Sequence, residues 1–162
     1  MSDYKYIEAP SKENYDNEKA IFLAGTISGA WDWQNFAAKN LAGFGTVVNP
    51  RRATYGGLAA GVNQDLEQIR WEHEQLQNVP VIMFWFSQET VAPITLFEYG
   101  YWLARGDKTL VVGIDPLYPR LRDVVMQTKL ANETLFASIK FSLDDTINEA
   151  IKELEKVEDL PF

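Results

Sequence analysis

Glu98 is the acidic residue whose position most favours chemistry. It follows the apolar run at residues 79–86 and a polar loop, and it lies in the predicted first turn of a helix. Loops at the carboxyl ends of strands form the ligand sites of open α/β sheets. A carboxylate kept ionised there by the helix N-terminus would suit a nucleophile in glycosyl transfer. Thr95 precedes Glu98 by three residues, so T-L-F-E equally fits a capping box with Thr95 as the N-cap.

A second carboxylate, Glu72, lies on the preceding predicted helix, one strand away from Glu98. It could act as a general acid or base, or it could hold a substrate hydroxyl. The alternative is a solvated charge on a helix surface, which is the commoner role of a lone glutamate. The local sequence around Glu72 leaves both interpretations open.

The turn after the first predicted strand places small and hydroxyl residues at a strand end. Gly25, Thr26 and Ser28 lie within the sequence GTISG, where glycine would let a ligand approach the backbone. A tight connection between strand and helix would need the same residues. Asp32 follows this turn and is a candidate N-cap of the next helix.

The sequence NPRR ends the second predicted strand, also on the ligand side of the sheet. Its adjacent arginines, Arg51 and Arg52, could bind a phosphate or carboxylate, although such a pair is more often solvated. Asn49 precedes them at the strand end. Trp33 and Trp71 fit core or rim packing, but residues near strand ends could also stack on a nucleobase.

Several kinds of chemistry lack the residues that they need. The chain has no cysteine, which excludes thiolate nucleophiles and Cys-ligated metals. It has no G-x-G-x-x-G and no G-x-x-x-x-G-K-[ST], so a dinucleotide oxidoreductase or a P-loop phosphotransferase is unsupported. The single histidine, His73, has no nucleophile motif around it and fits a partly exposed helix position. We therefore predict no metal and no cofactor.

Composition narrows the class of partner. The 162 residues suit one domain spanning 1–162, with residues 1–19 as a polar arm, and the net charge is −8. That charge argues against a nucleic-acid partner or an anionic membrane surface. That charge does not exclude a small-molecule site. No apolar segment has the length of a signal peptide or a membrane span, so we expect a cytoplasmic protein.

The elements predicted to position these residues alternate between strand and helix. Leu66, Ile69, His73 and Leu76 share the apolar face of the second helix, and Gly106 ends the helix that carries Glu98. Ser142 and Asp145 form a capping pair for the last helix. The predicted strands are residues 21–25, 46–50, 79–86, 109–115 and 138–141. The predicted helices are residues 32–42, 65–77, the segment around Glu98, 120–132 and the segment after Ser142, with residues 51–64 as a loop.

Four fragments in this order carry a family resemblance: FLAGTISGAWDWQ, VNPRR, QIRWEHEQL and VIMFWFSQETVAPITLFEYGYWLARGDKTLVVGIDPLYPRLRDV. The chain resembles the nucleoside 2-deoxyribosyltransferase family, in the branch often called transferase-like, over residues 21–130. The resemblance implies a flavodoxin-like, doubly wound sheet of five parallel strands with helices on both faces. It also implies transfer of a 2-deoxyribosyl group between nucleobases, by double displacement at the anomeric carbon with retention.

The resemblance assigns roles to particular residues. The family pattern P-I-x-L-x-E-x-G falls on residues 93–100 and makes Glu98 the nucleophile, with Glu72 as the supporting acidic residue. The nucleoside pocket would be lined by the turn at residues 25–28 together with Asp32, Trp33 and Asn49. The substrates implied are 2′-deoxynucleosides and free nucleobases, and Arg51 and Trp71 are further candidate contacts to them.

Departures from the family pattern leave alternatives. Residues 87–92 offer Glu89 where the family carries an aspartate that holds the base. A related group hydrolyses deoxynucleoside 5′-monophosphates, so one alternative is an N-glycosidase acting on 2′-deoxynucleosides or their 5′-monophosphates. A non-catalytic nucleotide-binding module is another. The family also suggests a homo-oligomer that completes each pocket from a neighbouring subunit, with Arg120, Asp123 and Gln127 as candidate contributors.

Overall fold

The computed structural model describes residues 4–53 and 62–157, and within these it contains five strands and six α-helices. The strands are β1 (Tyr6–Glu8), β2 (Ala20–Gly25), β3 (Thr46–Asn49), β4 (Val81–Phe86) and β5 (Thr109–Ile114). The helices are α1 (Trp33–Leu41), α2 (Val62–Asn78), α3 (Pro93–Arg105), α4 (Leu121–Ala131), α5 (Glu133–Ser138) and α6 (Leu143–Lys156). Of the loop predicted at 51–64, residues 54–61 lie outside the described residues, and residues 62–64 are helical.

The five strands form one parallel sheet in the order β1-β3-β2-β4-β5. The long apolar strands β4 and β5 pair in register from Val81 with Thr109 to Phe86 with Ile114. Their continuous apolar character reflects burial on both faces, as is usual in parallel sheets. The predicted flavodoxin-like α/β fold is confirmed.

The identity of the fifth strand corrects the sequence prediction. Residues 138–141 form only a single bridge, in which Lys140 N donates to Val112 O at 3.0 Å and Lys140 O accepts from Ile114 N at 2.9 Å. This segment cannot extend, because α5 ends at Ser138 and Ser142 already caps α6. The fifth strand is instead β1, which comes from the segment predicted to be a polar arm.

The strand β1 joins the opposite edge of the sheet because one of its side chains belongs to the core. Ile7 is fully buried, and the backbone pairs with β3 through Val47 N, which donates to Lys5 O at 2.9 Å. A three-residue strand has too little sequence pattern to be recognised alone. Its pairing partner supplies the hydrogen bonds that make it a strand.

The two faces of the sheet carry separate apolar clusters, because successive strand residues point to opposite faces. One cluster is covered by α2, α3 and α5, with α4 packed on α3 and α5. Its strand residues include Phe22, Val48, Ile82, Phe84, Phe86, Val112 and Ile114. The other cluster is covered by α1 and α6. Its strand residues include Ile21, Leu23, Val47, Val81, Met83, Trp85 and Val111.

The buried face of α2 differs from the one predicted. Leu66 and Ile69 are 49% and 60% exposed, and His73 is exposed, whereas Trp71 is buried against Phe22. The orientation of α2 about its axis buries the large indole of Trp71 instead. Among the residues that join Trp71 on the buried face are Gln68, Gln75 and Leu76.

Smaller predictions about helix ends are confirmed. Asp32 caps α1 by accepting from Asn35 N at 3.1 Å, and Ser142 caps α6 by accepting from Asp145 N at 3.1 Å. Gly106 ends α3 at φ 67°, a left-handed conformation that suits glycine. No helix in the described part of the chain combines the length and the apolar character needed to cross a bilayer.

Candidate active site

A cavity of about 570 Å³ opens at the carboxyl ends of β2 and β4, on the face covered by α2 and α3. The chain reverses its direction of winding here, because β3 lies on one side of β2 and β4 on the other. Such a switch point is where open α/β sheets bind their ligands. The polar side chains that line the cavity are those of Thr26, Ser28, Gln68, Glu72, Thr90, Thr95 and Glu98.

The turn after β2 is held from behind by α1. Thr26 O accepts from Trp33 Nε1 and from Gln34 Nε2, both at 3.1 Å. Gly25 has no room for a side chain, since a Cβ would lie 2.4 Å from Trp33 Cζ2 and 2.6 Å from Trp85 O. Close packing on the opposite face of the sheet therefore fixes this wall of the cavity.

The loop between β4 and α3 forms the facing wall. Thr90 Oγ1 lies 3.0 Å from Thr26 Oγ1 and accepts from Ala92 N at 3.2 Å. Tyr118 OH donates to Val91 O at 2.6 Å and anchors the middle of the loop. The hydrogen bond between Thr26 and Thr90 thus joins the two loops at the carboxyl ends of β2 and β4.

The start of α3 corrects the predicted capping box. The helix begins at Pro93, and its N-cap is Ala92, at φ 52° and without a side-chain capping bond. Proline suits the first helical position, since it has no N–H to satisfy and its φ is already helical. Thr95 is therefore not the N-cap, and Glu98 lies in the second turn of α3.

The environment of Glu98 overturns the expectation that the helix N-terminus keeps it ionised. Burial in the cavity wall and, to a smaller extent, the nearby carboxylate of Glu72 together raise the pKa of Glu98 to about 8. The influence of a helix terminus fades beyond the first turn. No described group donates a hydrogen bond to the Glu98 carboxyl. This carboxyl therefore holds its proton to a higher pH than a solvated glutamate does.

Glu72 differs from Glu98 in having partners. Burial also raises its pKa, but a hydrogen bond from Gln68 Nε2 at 2.7 Å and the positive charge of Arg52 both act to lower it. Two neighbouring carboxyls in different environments take different protonation states, which is a common basis of acid and base roles. The cavity therefore contains two carboxyls in different electrostatic environments.

The structure brings together only part of the predicted site. Of the site residues predicted from the sequence, those that line the cavity are Gly25, Thr26, Ser28, Glu72 and Glu98. The predicted site residues that do not line the cavity are Asp32, Trp33, Asn49, Arg51 and Trp71.

Arg51 clamps the loop before α1 rather than facing the cavity. Its guanidinium donates to Trp31 O at 2.9 Å, to Ala30 O at 3.0 Å and to Gln34 Oε1 at 3.2 Å. Its Nε also lies 3.7 Å from Asp32 Oδ1. With its donors satisfied in this way, Arg51 supports the turn that Gln34 and Trp33 hold.

Asn49 and Trp71 also have structural partners. Asn49 is buried, donates to Tyr6 OH at 3.0 Å and accepts from Arg51 N at 2.9 Å. Trp71 Nε1 donates to Ser11 O at 2.8 Å. Both side chains connect the N-terminal segment to the elements around the cavity.

Gln68 and Thr90 line the cavity but were not among the site residues predicted from the sequence. Gln68 lies four residues before Glu72, a spacing that brings side chains together on a helix and could have drawn attention to it. Thr90 lies on a loop, where no periodic pattern applies. Apolar residues of the cavity, such as Phe22, Ile69 and Ile94, also became apparent only in three dimensions.

Metal binding has no support within residues 4–53 and 62–157. No group of three or more His, Asp or Glu side chains there is arranged to hold a metal ion. The polar groups of the cavity are hydroxyls, an amide and the two carboxyls, which suit hydrogen bonds to a polar organic ligand.

Comparison with known families agrees with this geometry. A family model described as nucleoside 2-deoxyribosyltransferase like matches residues 18–118, more than half of the chain. The chain therefore belongs to the nucleoside 2-deoxyribosyltransferase-like family, which indicates a related glycosyl-handling function and substrates of the nucleoside or nucleobase kind. The matched stretch includes the turn after β2, Glu72 and Glu98. No curated protein matches the chain.

Proposed function

We propose that this protein transfers the 2-deoxyribosyl group between nucleobases through a covalent intermediate on Glu98. The observation that carries the proposal is the pair of carboxyls, Glu72 and Glu98, in one cavity at the carboxyl ends of β2 and β4. Membership of the family supplies the class of substrate. The cavity volume of about 570 Å³ falls within the range typical of small-molecule sites.

The first half-reaction breaks the bond from C1′ to the base. Glu98 passes its proton to ionised Glu72, and a carboxylate oxygen of Glu98 then attacks C1′. The electron pair of the C1′–N bond moves to the base nitrogen, which takes the proton from Glu72. The products are a neutral base and a glycosyl ester on Glu98.

The second half-reaction reverses these roles. A nitrogen of the incoming base attacks C1′, and the electron pair of the ester bond returns to Glu98. The incoming base loses its proton to Glu72, and Glu72 returns that proton to Glu98, which restores the starting state of the pair. Two inversions at C1′ give net retention, as in other double displacements at an anomeric carbon.

The walls of the cavity suit the two parts of such a substrate. Phe22, Ile69 and Ile94 supply apolar surface for a planar base, and Thr26 and Thr90 supply hydroxyls for the sugar. This mixture of apolar walls and few polar groups is typical of sites for small organic ligands.

A second candidate is an N-glycosidase that hydrolyses deoxynucleoside 5′-monophosphates. It is favoured by the start of α3, which lines the cavity and has no side-chain cap. Free backbone N–H groups at a helix N-terminus can bind a phosphate. In this reaction, water would attack the glycosyl ester and release the sugar phosphate.

The test is incubation with deoxyinosine or thymidine plus adenine, followed by chromatography. A new deoxynucleoside supports transfer, and free base without a new deoxynucleoside supports hydrolysis. Parallel reactions with the corresponding 5′-monophosphates separate the two classes of donor. If no donor is consumed in any reaction, both candidates are wrong and a binding module remains.

A further inference from the structure

The side chain of Gln68 links the guanidinium of Arg52 to the carboxyl of Glu72. Arg52 Nε donates to Gln68 Oε1 at 2.7 Å, while Gln68 Nε2 donates to Pro50 O at 2.9 Å and to Glu72 Oε1 at 2.7 Å. The side chain is 8% exposed. Because the amide oxygen faces the guanidinium and the amide nitrogen has two acceptors, only one orientation of the amide satisfies all three contacts.

Arg52 forms no ion pair with any Asp or Glu side chain that the structure describes. Its Nη2 is buried without a hydrogen-bond partner among the described groups. Its charge reaches Glu72 through the Gln68 amide and through space, and it lowers the pKa of Glu72. Glu72 lines the same cavity as Glu98 of α3, and its charge raises the pKa of Glu98. Among the described residues, the charge of Arg52 therefore acts on the Glu72 member of the carboxyl pair.

We propose that Gln68, held in place by Arg52, is a positioning residue that keeps Glu72 charged and directed towards Glu98. The consequence for catalysis rests on the proposed transferase function. The consequence for the charge of Glu72 does not, and it can be measured without turnover.

The reason lies in the cost of burying charge. A carboxylate removed from water needs hydrogen bonds to remain ionised, and bonds to charged groups are the stronger ones. Without the Gln68 donor, Glu72 would hold its own proton over more of the pH range. It could then not accept the proton of Glu98, and Glu98 would remain a poor nucleophile.

The same helix provides a matched control. Gln75 is also 8% exposed, and its Oε1 accepts a hydrogen bond from Tyr15 OH, outside the cavity. Replacing either glutamine with methionine removes an amide and keeps a side chain of similar length. Comparing Gln68→Met with Gln75→Met separates loss of the contact to Glu72 from loss of a buried amide.

The first measurement is a carbon-13 NMR titration of the glutamate carboxyls in the wild type and both variants. We expect the pKa of Glu72 to rise in Gln68→Met and to stay unchanged in Gln75→Met. Gln68→Glu provides a second test that preserves shape and the Arg52 contact, and it should raise the pKa of Glu72 as well, since it replaces a donor by an acceptor. If the pKa of Glu72 is the same in all of these proteins, the proposal is wrong.

The second measurement is base exchange as a function of pH. In Gln68→Met we expect kcat to fall at least about tenfold, the effect of a hydrogen bond to a charged group, with a small change in KM. The acid limb of the profile should move to higher pH, because ionised Glu72 accepts the proton of Glu98. A raised KM with unchanged kcat and an unmoved limb would show that Gln68 only forms a wall.

Failure of the two proposals can be told apart. If the wild type neither exchanges nor releases a base, the proposed function is wrong, and the titration alone decides the role of Gln68. If the wild type is active and the titration shows no difference at Glu72, the function stands and the role of Gln68 is wrong.

Discussion

The two faces of the sheet have opposite characters. The face covered by α1 and α6 is closely packed, to the point that Gly25 and Gly113 leave no room for a Cβ beside Trp33 and Thr146. The face covered by α2 and α3 contains the cavity and both of the described carboxyls whose pKa is raised. The packed face holds the strand ends in place, and the other face can therefore remain open for a ligand.

This difference shows how the site is supported. Trp33 lies outside the cavity but binds Thr26 O from the packed side, so it positions a wall that it does not line. Substitutions on the packed face should change stability, whereas substitutions of the carboxyls should change activity. Four predictions test this division, from the largest expected effect to the smallest.

The largest effect is expected for Glu98→Gln. The amide keeps the shape of the side chain but cannot form the glycosyl ester, so base exchange should fall about a thousandfold or more. The measurement is the initial rate of formation of the new deoxynucleoside. Glu74→Gln, at an exposed position on α2, is the control and should retain wild-type activity. Undiminished exchange by Glu98→Gln would contradict the nucleophile role.

Gly113→Ala should test the packed face. Its Cβ would lie 1.9 Å from Thr146 Oγ1, and Thr146 cannot move easily because it is buried and donates to Ser142 O at 2.6 Å. We expect the free energy of unfolding to fall by about 2–3 kcal/mol. Urea denaturation measures this change. A loss under about 0.5 kcal/mol would mean that the face is more adaptable than its geometry indicates.

The pH dependence of stability should reveal the burial of Glu98. Its pKa is raised from 4.5 to about 8 on folding, so the folded chain binds the proton more tightly than the unfolded chain. The resulting stability is fully present below pH 4.5 and is lost as the pH rises through about 8. We expect wild type to lose about 1–2 kcal/mol relative to Glu98→Gln over this window, allowing for partial exposure.

Urea denaturation of both proteins across this pH range measures that difference directly. Parallel curves of stability against pH would show that Glu98 titrates normally. The cavity would then be wetter at this carboxyl than its lining suggests.

The smallest effect is expected for Gly100→Ala on the open face. Gly100 lies inside α3, and a Cβ there would meet nothing within 4 Å outside the helix itself. Alanine loses less conformational freedom on forming a helix, so the free energy of unfolding should rise by about 0.5–1 kcal/mol. Thermal denaturation of Gly100→Ala and Gly113→Ala in parallel compares the effect of the same substitution on the two faces. A destabilised Gly100→Ala would contradict the open geometry around this residue.

Local patterns were enough to predict much of the fold. The apolar runs of β2, β4 and β5 are long and bounded by turn residues, so each was recognisable from its own segment. The caps at Asp32 and Ser142 depend on contacts within three residues, and both were predicted correctly. Such features depend on neighbours in the chain, which the sequence specifies directly.

Other features depended on partners distant in sequence. The strand β1 forms because β3 offers an edge, and α2 buries Gln68 rather than Ile69 because the Trp71 indole packs on Phe22. The periodic apolar pattern of α2 predicted a different face. Gln68 was overlooked for that reason, since an amide becomes a plausible buried residue only once its three partners are known.

The sequence by itself determined the family and the order of β2 to β5 along the chain, and it made Glu98 and Glu72 candidate site residues. Only the tertiary structure decided that Glu98 lies in the second turn of α3, with its pKa raised by burial and by Glu72. Only the tertiary structure decided that Arg51 clamps a loop while Arg52 contacts Gln68. The physical reason is that burial, charge and hydrogen bonding at a site depend on segments that meet only when the sheet assembles.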